Sequence, residues 1–236
     1  MAASDIQPGD PGLEKKLRHV VKGEVRFDAF TRGIFSTDAS HYQVEPLGVV
    51  FPATAEDIQV VMEVAREENV PVLPRGAGTS QCGQTVGRAI VVDVSRHLNQ
   101  IGGMHEDEIE VEPGVVLDHL NARLRQRHQW FPVDPSTGSR ATLGGMAGNN
   151  SAGARSLRYG TMVDNVSAIE VVLPDGRRLW LGSEESEEHY MPTELAFLRN
   201  LYANHAAEII QRTPNTMRNV AGYNLASLNP NQENLA

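Results

Sequence analysis

The stretch Pro74-Arg75-Gly76-Ala77-Gly78-Thr79-Ser80-Gln81-Cys82-Gly83-Gln84 follows a short apolar run and is dense in glycine and small hydroxyl residues. A second stretch of this character extends from Asp134-Pro135-Ser136 through Thr142-Leu143-Gly144-Gly145-Met146-Ala147-Gly148-Asn149-Asn150-Ser151-Ala152-Gly153. Glycine permits positive φ and lets another atom approach the main chain closely, so such a loop can direct several N–H groups at one anion. Two of them in one small chain predict a long ligand held between two walls.

The segments around the first stretch alternate between strand and helix patterns. A helix is predicted from a capping-box-like start at Thr54-Ala55-Glu56-Asp57 to about Asn69. Apolar runs predict buried strands at 47–51, 70–73 and 89–94. A dinucleotide-binding Rossmann unit is excluded, because its glycine motif opens a helix and needs a third glycine where Gln81 stands.

The rest of the chain has the same mixed character. Residues 13–21 show helical spacing, and the composition changes near Gly102-Gly103, where we expect a border between two subdomains. The later patterns predict a strand at 109–112, a helix at 115–129, a β-hairpin formed by 166–173 and 177–181, and a helix at 194–211. The order of strands and helices is therefore α/β in character.

Composition limits the classes of function. The chain has 236 residues and a formal net charge of −9, which argues against a general nucleic-acid binder because phosphate neutralisation needs a basic face. Cys82 is the single cysteine, which excludes an internal disulfide framework and fits a reducing compartment. The N-terminus lacks a secretory pattern, and no apolar run approaches the roughly 18 residues that span a bilayer. We expect a cytoplasmic protein without a membrane span.

Taken in order, the two glycine stretches and three further segments resemble the FAD-linked oxidase family. The further segments are Val92-Asp93-Val94-Ser95-Arg96-His97-Leu98-Asn99, Arg158-Tyr159-Gly160 and Val171-Val172-Leu173-Pro174-Asp175-Gly176. The resemblance covers roughly residues 26 to 225 and implies a vanillyl-alcohol-oxidase-type (PCMH-type) FAD-binding fold. Two segments, Phe35-Ser36-Thr37-Asp38-Ala39-Ser40-His41-Tyr42 and Arg218-Asn219-Val220-Ala221-Gly222-Tyr223-Asn224-Leu225, are similar to the branch that fuses this fold to an iron–sulfur module. That branch includes D-lactate and D-2-hydroxyglutarate dehydrogenases.

The resemblance implies two α+β subdomains with FAD extended between them. The expected division is a lead-in segment at 1–44, a first FAD-binding subdomain at 45–105 and an incomplete second subdomain at 106–236. Family members continue into a substrate domain, whereas this sequence stops at Ala236. The substrate domain is therefore expected to be absent.

The resemblance also assigns cofactor contacts. The first wall, around the pyrophosphate, would consist of Arg75, Gly76, Ala77, Gly78, Thr79 and Ser80, continued by Gly83 and Gln84. Pro135, Thr142, Gly144 and Gly145 would approach the ribityl chain and isoalloxazine, and Asn149, Ser151 and Gly153 would complete the contacts. Thr79-Ser80 stands where some relatives carry the histidine that attaches flavin covalently, so non-covalent FAD is expected.

The implied function is the FAD-binding N-terminal portion of an oxidoreductase. Such an enzyme oxidises a 2-hydroxy acid of the D-lactate, glycolate or D-2-hydroxyglutarate type by hydride transfer to flavin N5, with an electron acceptor that the sequence does not identify. The catalytic base and the carboxylate-binding residues belong to the family's later half, so no catalytic residue is assigned in this chain. One cysteine cannot ligate an iron–sulfur cluster, which is expected only in the full-length relatives.

Two alternatives remain open. The chain could be a flavin-binding module or split subunit without activity of its own. It could also belong to the cell-wall reductases that share this flavin fold, although the segment Arg218-Asn219-Val220-Ala221-Gly222-Tyr223 fits them poorly.

Other chemistry-bearing residues receive structural interpretations. The run His105-Glu106-Asp107-Glu108 lacks a second histidine at helical spacing, so we interpret it as a solvated charge run and expect no metal site. Cys82 is interpreted as a loop cysteine, and His41, His97, His119 and His128 receive no catalytic role. Weaker candidates for ligand contacts are Arg155, Arg158, Asn219, Tyr223 and Asn224.

Overall fold

The computed structural model describes residues 6–182, 192–214, 216 and 223–229. The chain divides into two compact units. The first comprises Met1–Met162 with Pro174–Arg177, and the second comprises Val163–Leu173 with Arg178–Ala236.

The first unit mixes helices and short strands, which alternate up to Arg75 and are followed by three more strands and then three helices. In chain order they are α1 (Pro11–Val20), β1 (Glu24–Arg26), α2 (Ala29–Phe35), β2 (Gly48–Phe51), α3 (Ala55–Glu67), β3 (Val72–Arg75), β4 (Ile90–Asp93), β5 (Ile101–His105), β6 (Glu108–Val111), α4 (Leu117–Leu124), α5 (Leu143–Gly148) and α6 (Ser156–Tyr159). A 3₁₀ turn, Arg125–Arg127, follows α4. The second unit contains the antiparallel hairpin of β7 (Ile169–Val172) and β8 (Arg178–Leu181), then α7 (Pro192–Arg212) and a 3₁₀ turn at Leu225–Leu228.

A four-stranded sheet in the order β1-β2-β4-β3 organises the first unit. Strands β2, β3 and β4 are parallel, and β1 pairs antiparallel with β2. All residues of β2 and β4 are buried, because both faces of the sheet are covered. Val50 and Val92 pack in the main core with residues of α1 and α3, whereas Val49 and Val91 pack in a smaller cluster with Phe51.

The predicted strands at 47–51, 70–73 and 89–94 and the helices at 13–21 and 194–211 are confirmed within one or two residues. The hairpin predicted at 166–173 and 177–181 is confirmed, with its first strand beginning three residues later, at Ile169. The predicted lead-in contributes more than expected to the fold. Its helix α1 buries Leu13 and Leu17 in the main core, and its strand β1 extends the sheet.

Three predicted elements differ from the structure. The helix predicted at 115–129 ends at Leu124, because the next three residues are polar and exposed, and His128 then adopts φ 59°. Gly102 and Gly103, expected at a border, lie inside β5, which forms a hairpin with β6. The second glycine stretch is not wholly loop, since Leu143–Gly148 forms α5.

The start of α3 differs from the predicted capping box. Thr54 occupies the N-cap position, but its side chain makes no capping hydrogen bond. Asp57 is 1% exposed, and its carboxylate accepts backbone hydrogen bonds from Lys22 (2.8 Å), Gly23 (3.0 Å) and Ala53 (2.8 Å). This carboxylate therefore joins the turn before β1 to the turn before α3.

We expect Asp57→Asn to lower the free energy of unfolding by about 2 to 4 kcal/mol, because an amide nitrogen would replace one oxygen that faces backbone donors. Urea unfolding followed by far-UV circular dichroism measures the change. Glu67→Gln, at an exposed position near the end of the same helix, is the matched control. A loss below about 1 kcal/mol, comparable with an ordinary surface change, would contradict the structural role of Asp57.

In the described part of the chain, none of the helices combines the length and the apolar composition needed to cross a bilayer.

Candidate functional site

The first glycine stretch leaves the sheet at the carboxyl ends of its parallel strands. Arg75 ends β3 and Asp93 ends β4, and the two residues are register partners. After Arg75 the chain forms no helix before it enters β4 at Ile90. We define residues 76–88 as the glycine loop. Ligands of open α/β sheets bind at this edge, so the position suits a binding site.

The Arg75 side chain lies under the glycine loop and is bonded to main-chain carbonyls. Its guanidinium donates from Nη1 to the carbonyls of Phe35 (3.2 Å) and Thr85 (3.1 Å), and from Nη2 to that of Thr37 (2.8 Å). The guanidinium carbon also lies 4.9 Å from the centroid of the Phe35 ring. Arg75 is only 9% exposed.

Two carboxylates compensate the buried charge of Arg75. Burial lowers the pKa of the Arg75 guanidinium, while Asp93 and Asp38 act in the opposite direction. Burial raises the pKa of the Asp93 carboxyl, opposed by hydrogen bonds from Ser95 and by the charge of Arg75. Because the guanidinium donates to three carbonyls, we expect this edge of the sheet to attract an anion through main-chain N–H groups.

The glycine loop has the backbone geometry of an anion-binding loop. Gly78 and Gly83 have φ of +65° and +77°, values that other residues rarely adopt. Among the described residues, no hydrogen bond uses the main-chain N–H groups of residues 77–83 as donors. Unpaired amide donors around a left-handed glycine are the arrangement that binds phosphate oxygens in other proteins.

The side chains of the glycine loop differ in their bonding and exposure. Ser80 donates through Oγ to the side-chain oxygen of Gln84, so these two predicted contacts are bonded to each other. Ala77 is exposed and Thr79 is half-buried. Cys82 is an exposed free thiol.

The second glycine stretch is positioned by the segment that follows β6. Residues 141–144 run antiparallel to 113–117, with hydrogen bonds from Leu117 to Ala141 (3.0 Å), from Leu143 to Val115 (2.8 Å) and from Gly144 to Pro113 (2.8 Å). A Cβ at Gly144 would lie 2.5 Å from the Pro113 Cβ. Glycine at 144 therefore permits the close approach that places the start of α5.

The two glycine stretches meet at Gly76 and Thr142. A Cβ at Gly76 would lie 2.1 Å from Thr142 Oγ1, and a Cβ at Gly145 would lie 3.1 Å from the same oxygen. Thr142 is 1% exposed, and within the described residues its hydroxyl has no hydrogen-bond partner. A buried hydroxyl without a partner costs free energy, so a polar ligand atom at this junction would be stabilised by a hydrogen bond to Thr142.

The other predicted contact residues of the second stretch interact with residues close to them in the structure. Asn149 donates to Ser151 Oγ (3.3 Å), and the Pro135 carbonyl accepts from the Gly138 N–H (3.0 Å). A Cβ at Gly153 would lie 2.1 Å from the carbonyl oxygen of Asp134. These residues shape the turns on either side of α5.

The weaker arginine candidates lie on an open surface depression of about 530 Å³ with Trp130, Leu157 and Tyr159. Arg155 lies over the Trp130 ring at 4.7 Å and pairs with Asp134 at 3.6 Å, and Arg158 lies over the Tyr159 ring at 5.3 Å. Arg155 is thus engaged as a surface ion pair. Among the described residues, no three His, Cys, Asp or Glu side chains form a group that could hold a metal ion.

The candidate positions at the end of the chain fall in the second unit. Asn219 lies outside the described residues. Tyr223 is 94% exposed, and Asn224 donates to Ser227 Oγ.

Sequence reasoning missed the support that residues 35–42 provide to the glycine loop. Ala39 donates its N–H to the Gly78 carbonyl (3.0 Å), and Thr85 Oγ1 donates to Asp38 Oδ2 (3.0 Å). A Cβ at Gly83 would lie 2.6 Å from the Tyr42 ring. The resemblance of Phe35–Tyr42 to a branch of the family was the available signal, but it carried no information on these contacts.

A family profile described as an FAD binding domain matches residues 46–182. The chain belongs to this FAD-binding family. The match includes the glycine loop and the second glycine stretch, and it confirms the predicted family and the PCMH-type FAD-binding fold.

Curated relatives extend the likeness beyond the matched domain. The chain is 35% identical to D-2-hydroxyglutarate dehydrogenase from Pseudomonas putida over 93% of its own length and 23% of that protein. It is 39% identical to the Escherichia coli enzyme of the same name over 68% of this chain and 16% of that one. It is 33% identical to glycolate oxidase subunit GlcD from Bacillus subtilis over 71% of this chain and 37% of that one. The chain thus spans less than two fifths of each of these relatives.

Solved structures share the fold at low sequence identity. Alkyldihydroxyacetonephosphate synthase superposes with a TM-score of 0.65 at 22% identity, covering 76% of this chain and 40% of that one. Chitooligosaccharide oxidase superposes with a TM-score of 0.64 at 18% identity, covering 75% and 38%. At these identities the likeness shows the fold alone.

Proposed function

We propose that this chain is the FAD-binding portion of an FAD-dependent oxidoreductase that oxidises a 2-hydroxy acid of the D-2-hydroxyglutarate, D-lactate or glycolate type. The observation that carries the cofactor assignment is the junction of the two glycine stretches, where the buried Thr142 hydroxyl beside Gly76 has no hydrogen-bond partner in the described part of the chain. The substrate class rests on the names of the relatives.

The residues present fit FAD. Main-chain N–H groups of the glycine loop would bind the pyrophosphate, since they are unpaired among the described residues and surround a left-handed glycine. The Thr142 hydroxyl would bind a phosphate or ribityl oxygen, and Gly144 and Gly145 would leave room for the cofactor at the start of α5. The remaining proposed contacts are those that the resemblance assigns, from Pro135 to Gly153.

FAD, when bound, would accept the C2 hydride of the substrate at N5. In that reaction the role of this chain would be to bind and orient the cofactor. The groups that remove the substrate proton and bind its carboxylate, and any iron–sulfur cluster, would be supplied outside the present residues. This division is the one that the resemblance implies, since the resemblance assigns those groups to the family's later half.

We expect the purified chain to show flavin absorbance bands that leave with the small-molecule fraction after denaturation, because Thr79 and Ser80 offer no histidine for covalent attachment. Spectra before and after acid precipitation and filtration provide the measurement. Flavin that stays with the precipitated protein would contradict non-covalent binding.

The second candidate is a flavin-binding module or split subunit that carries no activity by itself. This candidate is supported by the small share of each relative's length that the chain spans. A dye-reduction assay of the FAD-loaded chain with the three hydroxy acids tests both candidates. Turnover by the chain alone would contradict both, because each places the catalytic groups outside the present residues, and turnover after a separate partner polypeptide is added would support the split subunit.

A further inference from the structure

The glycine loop is held by residues that precede the matched FAD-binding domain. The family match begins at residue 46, whereas Arg75 bonds to carbonyls at Phe35 and Thr37. The same guanidinium bonds to Thr85 at the far end of the loop. One side chain therefore joins the loop to two residues that precede Arg75 by 40 and 38 positions in the sequence.

The position of Gly78 shows how this side chain determines the loop conformation. A Cβ at Gly78 would lie 2.6 Å from Arg75 Nη2 and 3.1 Å from Cζ. The guanidinium thus occupies the space beside Gly78 where any other residue would carry its side chain. The guanidinium also donates hydrogen bonds to three carbonyls and packs against the Phe35 ring. Its contacts are therefore with the protein and not with a ligand.

Three further contacts join the same segment to the loop independently of Arg75. They are the Ala39–Gly78 main-chain hydrogen bond, the Thr85–Asp38 hydrogen bond and the packing of the Tyr42 ring against Gly83. Asp38 also accepts a hydrogen bond from the Ser40 N–H at 2.8 Å, which fixes its own turn. The segment 35–42 therefore contacts the loop near its start, its middle and its end.

We propose that Arg75 is a positioning residue that fastens segment 35–42 to the glycine loop, and that this segment forms part of the FAD site although it lies outside the matched domain. The proposal rests on the proposed FAD binding. Arg75 would act through the shape of the loop at Gly78, with no contact between its guanidinium and the pyrophosphate. Its donors are already used by the carbonyls of Phe35, Thr37 and Thr85.

The test compares the 236-residue wild type with R75K and R75Q, with R127K at an exposed position after α4 as the control. Hydrogen–deuterium exchange is measured first without FAD. Lysine cannot span three carbonyls with one ammonium group, so R75K and R75Q should both exchange at least about tenfold faster at the hydrogen-bonded amides of 36–44, among them Ala39, whose N–H donates to the Gly78 carbonyl, with α3 unchanged. Unchanged exchange in 36–44, or faster exchange throughout the unit, would overturn the positioning role.

FAD affinity is then measured by flavin fluorescence on the same four proteins. We expect R75K to lose about as much affinity for FAD as R75Q, on the order of tenfold or more. The reason is that the planar guanidinium, and not its charge, holds the glycine loop in shape. R75K within about twofold of wild type would indicate a direct ionic contact and overturn the proposal. If wild type itself binds no FAD, the proposed function fails, and the exchange data show separately whether Arg75 fastens the loop.

Discussion

Replacing Gly76 with alanine is expected to weaken FAD binding by about 100-fold, or about 2.7 kcal/mol. The new Cβ would lie 2.1 Å from Thr142 Oγ1 and 3.4 Å from Thr142 Cβ, and Thr142 is buried with little room to rotate away. The two glycine stretches would have to separate at the point where they meet. The same strain should lower the free energy of unfolding by about 1 to 3 kcal/mol.

A matched control for Gly76→Ala is Gly33→Ala on α2, where a Cβ would meet nothing within 4 Å. It should leave FAD affinity unchanged and raise stability slightly, by up to about 1 kcal/mol. The double variant Gly76→Ala with Thr142→Ala removes the clashing oxygen, so it should recover stability without recovering FAD affinity. If Gly76→Ala alone keeps wild-type affinity and stability, the two glycine stretches do not meet as described.

Replacing Thr142 with valine should change stability and affinity in opposite directions. Valine keeps the shape of threonine and removes the hydroxyl that has no partner among the described residues, so the FAD-free protein should become more stable by about 1 kcal/mol. FAD should bind about tenfold more weakly, because one hydrogen bond to the cofactor is lost. Urea unfolding and fluorescence titration on one preparation measure both quantities.

Thr54 provides the matched control for this second prediction. Like Thr142, it occupies a helix N-cap without a side-chain capping bond, and its buried hydroxyl also lacks a partner within the described residues. Thr54→Val should raise stability in the same way and leave FAD affinity unchanged. An equal loss of affinity in both variants, or none in Thr142→Val, would exclude a role for the Thr142 hydroxyl in binding.

Local patterns predicted the sheet well, for a physical reason. Strands β2 and β4 are buried on both faces, so each appears as a continuous apolar run. Patterns were weaker where tertiary contacts decide the structure. Gly102 and Gly103 have low strand propensity, yet they lie within β5, at the register shift between Ile101 and Met104 in its pairing with β6. The helix from 117 ends at Leu124, where the buried face ends, although the residues that follow are good helix formers.

The site shows the same division between local and long-range information. The resemblance brought Gly76, Thr142 and Gly145 into one predicted site, and the structure places these three residues together. It could not show that the Arg75 guanidinium is bonded to Phe35, Thr37 and Thr85, since such contacts between distant positions leave no periodic pattern. The capping role expected of Thr54 failed similarly, because Asp57 bonds to residues 22 and 23 from another turn.

Titration of the purified, flavin-free 236-residue chain with FAD, followed by flavin fluorescence, determines whether the two glycine stretches bind the cofactor. We predict saturable binding of one FAD per chain with a Kd of about 10 µM or lower, which corresponds to about −6.8 kcal/mol or better. Riboflavin, which lacks the pyrophosphate, should bind at least about tenfold more weakly, because the glycine loop offers its N–H groups to phosphate oxygens. No saturable signal up to about 1 mM FAD, or equal affinity for riboflavin, would contradict the account.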